Sequence, residues 1–303
     1  MAALVGSIAA LSAAACSFDP SSPGAAEGDG APAMEPGGAV DASDVADARP
    51  RADAAADAGR PDGGGGDPCG GADRDTVALY RFDSPDDLTD SAGAHDGALV
   101  GAPLEATPGP PGCGMAAAFP AAGQSFIEVA DSGDFDLEEG SVDLLVRAPP
   151  AGMERGLFSR DAAGQTQPGH ITAVIDASGR FVARLESAVG DAVVCSNQVA
   201  VAGQWHHLAI NLGPPRAELF LDGVRGTTQQ PVVILVDQNF NCNTEHDEGI
   251  AGNDQPWVLG ADNSLSADGE TGDARSFFAG GAIDQVRVSR VRRDFGGGDG
   301  ERD

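Results

Sequence analysis

The chain has 303 residues and a formal net charge of −29, from 18 basic and 47 acidic residues. Every basic residue is an arginine, and so large an excess of negative charge argues against nucleic acid as a partner. No apolar run reaches the roughly 18 residues that a membrane-spanning helix needs. The length allows one large domain or two small ones, each with a sizeable core.

The first 16 residues read MAALVGSIAALSAAAC, an apolar run that ends in small residues, as a secretory signal peptide does. The cysteine after the small residues resembles the lipidation site of bacterial lipoprotein signals. This resemblance implies lipidation of Cys16, export across the inner membrane and anchoring in the bacterial envelope as an outer-membrane lipoprotein. The only membrane contact would then be through the lipid. The alternatives are an ordinary cleaved leader or a chance Ala-rich start.

Residues 17–74 are built mainly from Ala, Asp, Gly and Pro, with Phe18 as their one aromatic residue. Such a segment cannot bury enough apolar surface to offset its ordering entropy, so we predict a disordered linker. Residues 75–295 hold both Trp, the single Tyr and the other eleven Phe, which indicates the folded domain. Residues 296–303 are predicted to form a flexible tail.

Short segments of this domain alternate apolar and polar residues, which is typical of strands with one solvated face. The segments are 76–82, 125–129, 141–147, 170–175, 180–185, 205–212, 216–221, 256–260 and 282–290. Turn residues Ser178-Gly179 and Gly213-Pro214-Pro215 join two pairs of segments as hairpins. No stretch of ten or more residues carries a convincing helical stripe. About a dozen short strands therefore predict an all-β fold with two antiparallel sheets in a sandwich.

Four sequence blocks, in this order, resemble the laminin-G-like and concanavalin A-like lectin/glucanase domains, especially their pentraxin-related bacterial branch. The blocks are LYRFD with TDSAG from Leu79, FPAAG with FIEV from Phe119, QWHHLA with LFLDGV from Gln204, and FAGGAIDQVRV from Phe278. The resemblance implies a jelly-roll sandwich in which Trp205 packs in the core. It does not fix function, because the superfamily includes lectins, adhesion modules and glycosidases.

The same resemblance implies a calcium ion between the opening loops and the closing strand. The matching residues are Asp83, Asp90, Asp96 and Asp284. Calcium binds six to eight oxygens, which loops rich in Asp and Gly can supply. The alternative is that these aspartates cap turns by accepting hydrogen bonds from nearby backbone N–H groups.

Four cysteines remain besides Cys16, and an even number in an exported chain suggests two disulfides with three possible connectivities. We favour Cys69–Cys113, which would pin the start of the domain, and Cys195–Cys242, which would tie a strand to the loop after residue 236. Free buried thiols are the alternative. No CxxC or paired CxxH spacing points to a cysteine-based zinc site.

Two further patterns involve carboxylates. Residues 237–248 place oxygen-bearing side chains at EF-hand spacing, but Cys242 stands where that motif requires glycine. We interpret this segment as an acidic surface loop suited to recognition. Residues 134–138 alternate carboxylates as β-glucanases of the superfamily do, which makes a divergent glycoside hydrolase an alternative. The scarcity of aromatic residues for sugar subsites argues against catalysis.

Two aromatic patterns are interpreted as structural. His206 and His207 follow Trp205 on a predicted strand, so they should point to opposite faces, one half-buried and one exposed. Trp257 is expected in the core. The sequence thus favours a noncatalytic, envelope-anchored module that binds a glycan or protein ligand with calcium as a cofactor. A structural envelope spacer without a ligand is the alternative.

Overall fold

The computed structural model describes residues 69–161, 168–187, 190–226, 231–234, 238–242, 247, 249–262 and 276–296. All of them belong to one compact unit, residues 59–303. The predicted signal peptide, Cys16, and the predicted linker up to residue 68 lie outside the described residues. Within the described part, no helix is long and apolar enough to cross a membrane.

Antiparallel strands make up almost all of the regular structure. In chain order they are β1 (Thr76–Tyr80), β2 (Gly97–Val100), β3 (Glu105–Pro108), β4 (Met115–Ala118), β5 (Phe126–Val129), β6 (Gly140–Arg147), β7 (Arg155–Arg160), β8 (Ile171–Ile175), β9 (Arg180–Ser187), β10 (Gly190–Val199), β11 (Trp205–Leu212), β12 (Glu218–Leu221), β13 (Val224–Arg225), β14 (Pro231–Ile234), β15 (Gln238–Asn241), β16 (Trp257–Leu259) and β17 (Ala282–Ser289). A 3-10 helix, Gly133–Phe135, precedes β6.

The strands form two large sheets and one hairpin. The eight-stranded sheet has the order β13-β12-β11-β6-β17-β4-β3, with β1 also paired to β17. The seven-stranded sheet has the order β10-β9-β8-β7-β16-β5-β2, and β14 pairs with β15 alone. Consecutive strands lie side by side in β7–β10 and β11–β13, whereas long connections place β6 and β17 next to each other and β16 between β7 and β5, as in a jelly roll. The structure therefore confirms the predicted all-β, two-sheet fold.

The core lies between the inner faces of the two sheets. Along β6, Val142, Leu144 and Val146 point inward, and they pack with residues of the facing sheet such as Phe158 and Ile171. All five are almost fully buried. Each apolar side chain of this size stabilises the fold by about 1.5–3 kcal/mol when it is removed from water. The period-2 pattern in the sequence exists because one face of each strand must reach this core.

The outer faces are less solvated than the alternation predicted. Every residue of β17 is buried, although the pattern of residues 282–290 indicated one wet face. The reason is that other segments cover the sheets. Phe295 packs on Ala209 and Phe220 outside the eight-stranded sheet, and the β14–β15 hairpin packs on the outside of the seven-stranded sheet.

The two disulfides are Cys69–Cys113 and Cys195–Cys242, which confirms the favoured pairing. The second joins β10 to the end of the β14–β15 hairpin and so fixes the cover over the seven-stranded sheet.

The start and end of the domain are held together. Thr76 pairs with Ser289 across β1 and β17. Both guanidinium NH groups of Arg293 donate to the carboxylate of Asp73 at 2.8 Å. The contacts of the domain thus extend a few residues before the predicted boundary at Asp75.

Candidate functional site

A groove of about 410 Å³ lies at the end of the sandwich where β6 begins and β11 ends. It is lined by Glu138, Glu139, Pro168, Pro214, Asp247, Gly249 and Ala251. Three of these seven residues are acidic and none is basic. The volume falls within the range of small-molecule sites, and the carboxylates can accept hydrogen bonds from hydroxyl groups.

Two glycines allow the walls of this groove to approach each other. A Cβ atom at Gly213, whose φ is +77°, or at Gly249 would collide with the backbone of Glu138. The segment after Gly249 is fixed by a 2.7 Å hydrogen bond from the Ile250 N–H to the Leu137 carbonyl. The glutamates are therefore placed by close backbone packing from two sides.

Arg160 joins the loops behind the groove. Its side chain is fully buried, and it donates to the carbonyls of Phe135 and Ile250 at 3.0 Å, and to that of Asn253. It also donates to Asp131 Oδ1 at 2.6 Å. Hydrogen bonds from a buried charged donor are worth about 1.5–3 kcal/mol each, so Arg160 is a strong organiser of this rim. Its isolated position in the sequence gave no sign of this role.

A second group of polar residues, which we call the outer cluster, lies on the outer face of the seven-stranded sheet. It consists of Asp161, His170, Arg184, Glu186 and Asp191. Burial opposes protonation of His170, but the carboxylates of Asp161 and Glu186 outweigh it and raise the pKa of His170 to about 9. Sequence reasoning missed this cluster because its members come from the ends of different strands.

Two of the four predicted calcium residues, Asp83 and Asp284, converge. A Cβ at Gly114 would lie 3.0 Å from Asp83 Oδ1, and one at Gly109 would lie 2.8 Å from Asp284 Oδ2. These glycines leave space between the carboxylates. Asp284 is fully buried, its Oδ2 has no hydrogen-bond partner in the described part of the chain, and burial raises its pKa to about 7, with a further contribution from Asp83.

The other two, Asp90 and Asp96, form hydrogen bonds with the backbone. Asp90 Oδ1 accepts from the N–H groups of Leu79 at 2.8 Å and Ala92 at 2.9 Å. Asp96 Oδ1 accepts from the Asp90 N–H at 2.9 Å. These contacts favour the turn-capping alternative for Asp90 and Asp96. Asp83 and Asp284 leave room for a cation beside Arg81, whose Nε lies 3.7 Å from Asp83 Oδ2.

The alternating carboxylates of residues 134–138 do not lie along one strand. Asp134 belongs to the 3-10 helix and its Oδ2 is 3.2 Å from His95 Nε2. Asp136 Oδ1 is 3.4 Å from Arg160, and Glu138 lines the groove. The carboxylates thus serve three different places, whereas retaining hydrolysis needs two that are about 5–5.5 Å apart across one sugar.

The aromatic predictions have mixed outcomes. Trp257 is 2% exposed, as expected for the core. Trp205 is only half-buried and stacks beneath Arg147, whose guanidinium carbon is 5.7 Å from the ring centroid. His206 is buried and His207 is half-buried, so the expectation of an exposed histidine is wrong. The C-terminal segment covers His207, because the ring centroids of Phe295 and His207 are 5.7 Å apart.

His207 belongs to a satisfied charge cluster on the outer face of the eight-stranded sheet. Arg287 donates to both carboxylate oxygens of Asp143 at 2.9 Å, and His207 Nε2 is 3.2 Å from Asp143 Oδ2. Burial would raise the pKa of Asp143, but His207 and Arg287 hold it below its usual value. This arrangement is structural, because its charged groups are already paired.

Half of the EF-hand-spaced segment lies outside the described residues. Of residues 237–248, the structure describes only 238–242 and 247. That calcium hypothesis lies outside the described residues. Asp247 belongs to the candidate site as a lining residue of the groove.

Comparisons with known proteins agree with the fold. The sequence profile of Laminin_G_3, described as the Concanavalin A-like lectin/glucanases superfamily, matches residues 121–294. Domain 4 of AbnA, a GH43 extracellular arabinanase from Geobacillus stearothermophilus solved with arabinotriose, is 20% identical, with a TM-score of 0.52 over 72% of this chain and 94% of that one. No curated protein sequence matches the chain.

Two more distant structures are similar in outline. The binding domain of Paraclostridial Mosquitocidal Protein 1 is 13% identical, with a TM-score of 0.49 over 73% of this chain and 50% of that one. The Ruminococcus gnavus IT-sialidase CBM40 is 13% identical, with a TM-score of 0.43 over 73% of this chain and 95% of that one. Because the profile spans more than half of the 303 residues, this chain belongs to the Laminin_G_3 family of the concanavalin A-like lectin/glucanases superfamily.

Proposed function

We propose that this domain is a noncatalytic module that binds a glycan in the acidic groove at the end of the sandwich. The observation that carries this proposal is the groove itself, in which Glu138, Glu139 and Asp247 face one cavity of about 410 Å³. Family membership supports it, because this superfamily includes lectins and glucanases. The carboxylates of residues 134–138 are dispersed, which argues against a catalytic pair formed by that segment.

The acidic lining selects the chemistry of the ligand. Carboxylates accept hydrogen bonds from sugar hydroxyls, and charged acceptors form bonds about twice as strong as neutral ones. An anionic sugar would instead meet like charges in the groove, on a chain whose net charge is −29, and like charges repel. The ligand class is therefore a neutral, hydroxyl-rich oligosaccharide, for which arabino-, xylo- and gluco-oligosaccharides are suitable probes.

Calorimetric titration with these oligosaccharides tests the proposal. Glu138→Gln and Glu139→Gln should each weaken binding by about tenfold, since each removes a charged hydrogen-bond acceptor. The matched control is Glu105→Gln, an exposed glutamate on β3, which should bind as wild type. Sialylated oligosaccharides should not compete. Binding of none of the neutral probes would favour the alternative of a structural spacer, and release of reducing ends would indicate a hydrolase.

We further propose that Asp83 and Asp284 hold a calcium ion. The fit rests on the unpartnered, buried Oδ2 of Asp284 and on the space left by Gly109 and Gly114. Calcium would supply positive charge to a buried carboxylate. Asp284 pairs with Leu145, five residues along β6 from its start at Gly140, which is about 17 Å from the groove end. The ion would therefore stabilise the fold without touching the glycan.

Thermal unfolding in EDTA and then in millimolar calcium tests this site. Binding to the native state raises the midpoint by several degrees if the affinity is micromolar. Asp284→Asn should abolish the shift, and the control Asp86→Asn, at an exposed loop residue, should retain it. No shift in the wild-type protein would remove calcium from the proposal and leave glycan binding to be judged by its own titration.

The site of action is proposed to be the bacterial envelope. A lipidated Cys16 would anchor the chain, and the acidic segment after it would separate the domain from the membrane surface. Incorporation of labelled palmitate into the wild-type chain, lost in Cys16→Ser, is the expected result in a bacterial host. Labelling that persists in the variant, or release of wild-type protein without label, would favour an ordinary cleaved leader.

A further inference from the structure

Three side chains of the outer cluster direct one ligand atom each to a common point. His170 Nδ1 is 3.0 Å from Asp161 Oδ1 and 3.4 Å from Glu186 Oε2, and ligand atoms of all three residues lie within 4.8 Å of one another. A tetrahedral zinc ion with bonds of about 2.0–2.1 Å holds its ligand atoms about 3.3 Å apart. The two separations around His170 therefore match neighbouring corners of such a site.

Two of these atoms have no hydrogen-bond partner in spite of their proximity. In the described part of the chain, His170 Nδ1 and Glu186 Oε2 are both unpartnered, and their side chains are only 2% and 4% exposed. Polar atoms buried this deeply are nearly always hydrogen-bonded. The ring nitrogen lies close to both carboxylates but is not aligned with either as a donor, which is the orientation expected if a cation is bound among them.

The charges of the cluster point the same way. Among the described residues, the cluster has the carboxylates of Asp161, Glu186 and Asp191, and Arg184 is their guanidinium partner. A metal-bound histidine must be neutral, and two negative charges then remain. Buried charge of that size is strongly unfavourable without compensation, and one divalent cation cancels it.

We propose that Asp161, His170 and Glu186 bind a divalent transition-metal ion, with zinc as the best match, at a site separate from the calcium site at Asp83 and Asp284. An imidazole nitrogen with two carboxylate oxygens suits zinc, whereas calcium prefers six to eight oxygens. Thr172 Oγ1 donates to Asp161 Oδ2 at 2.9 Å and Arg184 lies 3.5 Å from the same oxygen, so outer contacts orient this ligand.

The position of the site gives the ion a structural role. Asp161 follows β7, His170 precedes β8, and Glu186 lies near the end of β9, where the Glu186 N–H donates to the His170 carbonyl at 2.9 Å. One ion would therefore cross-link the ends of three neighbouring strands. It would lie outside the sandwich core, on the same sheet face as the disulfide-linked hairpin.

The test uses the full chain, untagged, with Cys16→Ser to prevent lipidation, freed of metal by a chelator. Calorimetric titration with zinc chloride should show one ion per chain, and cobalt should give the intense visible absorption of a tetrahedral site. His170→Asn and Glu186→Gln should each lower zinc affinity by at least about tenfold. Excess calcium should not displace the zinc.

Two matched controls make the result specific. His207→Asn alters the other His–carboxylate contact, at Asp143, and Asp284→Asn alters the calcium site, so both should bind zinc as wild type does. Circular dichroism checks that each variant is folded, and Glu186→Gln decides the question if His170→Asn does not fold. The proposal would be overturned if the wild-type protein showed no saturable zinc binding. It would also be overturned if His170→Asn and Glu186→Gln bound zinc with the wild-type affinity.

Discussion

The outer faces of the two sheets each carry a buried charge cluster, and the two clusters differ in how completely they are paired. On the eight-stranded sheet, Asp143 accepts two hydrogen bonds from Arg287 and lies against His207. On the seven-stranded sheet, His170 and Glu186 each keep an unpartnered atom. Both faces are covered, so burial alone does not explain the difference. A fully paired cluster serves the fold, whereas an incompletely paired one is where a ligand is to be sought.

The largest effect is expected from breaking the paired cluster. Arg287→Met leaves the buried carboxylate of Asp143 without its main partner, which should lower the free energy of unfolding by about 3–5 kcal/mol. Urea unfolding followed by tryptophan fluorescence measures it. Arg290→Met, at an exposed arginine in the same segment, should change stability by less than about 0.5 kcal/mol. If the two variants behave alike, the Asp143 pair is not structural.

The next effect concerns the cover of the seven-stranded sheet. Replacing Cys195 and Cys242 together by alanine removes a link across 47 residues and should lower the free energy of unfolding by about 2–4 kcal/mol. The same measurement on a Cys69→Ala/Cys113→Ala variant, with a separation of 44 residues, provides a matched comparison. Zinc affinity should fall only in the first pair, because only that disulfide fixes the hairpin on the outer cluster's sheet.

The pH dependence of stability should identify the paired cluster again. His207 and Arg287 lower the folded-state pKa of Asp143, so their stabilisation is present above the unfolded value of about 3.9 and is lost as the pH falls through the lower folded value. Melting temperatures measured from pH 7 to pH 3 should fall more steeply in wild type than in Asp143→Asn. Parallel curves would show that Asp143 does not carry this stabilisation.

The smallest effect is expected in the incompletely paired cluster without metal. Glu186→Gln removes one of three carboxylates, and Arg184 with a protonated His170 then balances the other two. We expect a change of about 1 kcal/mol or less in metal-free protein, measured by urea unfolding in a chelator. Added zinc should stabilise wild type only. If Glu186→Gln lowered the free energy of unfolding as much as Arg287→Met, the outer cluster would be a structural charge cluster like the one around Asp143.

The fold was largely predictable from the sequence, because residues that point into the core alternate along a strand with residues that point away from it. All nine segments chosen for that pattern contain strands, from β1 to β17. The pattern did not mark the other eight strands of the described part, among them β7, which runs through Arg160, and β10, whose outward residues are covered by the hairpin. It misjudged β17, whose polar residues, such as Arg287 and Ser289, are buried rather than solvated. A segment that packs over a sheet is invisible to a periodicity taken one strand at a time.

The candidate sites were less predictable, because they depend on residues brought together from distant parts of the chain. Asp284 could be found from its place in a resembled closing strand, and its neighbour Asp83 from the opening block. Nothing local marks Asp161, His170 and Glu186 as partners, since nine and sixteen positions separate them. The same holds for Glu138 and Asp247, whose shared groove depends on close backbone contacts at Gly213 and Gly249.

The salt bridge between Asp73 and Arg293 has a consequence for how such a domain can be combined with others. Because β1 and β17 are neighbours and Arg290 N–H donates to the Asp75 carbonyl at 2.9 Å, the chain enters and leaves the fold at one point. Domains with adjacent termini tolerate insertion into a host loop and circular permutation. This domain could therefore be placed inside another protein at a surface turn. Its groove would lie on the side of the junction, because β6 begins beside the end of β17, where Ser141 pairs with Ser289.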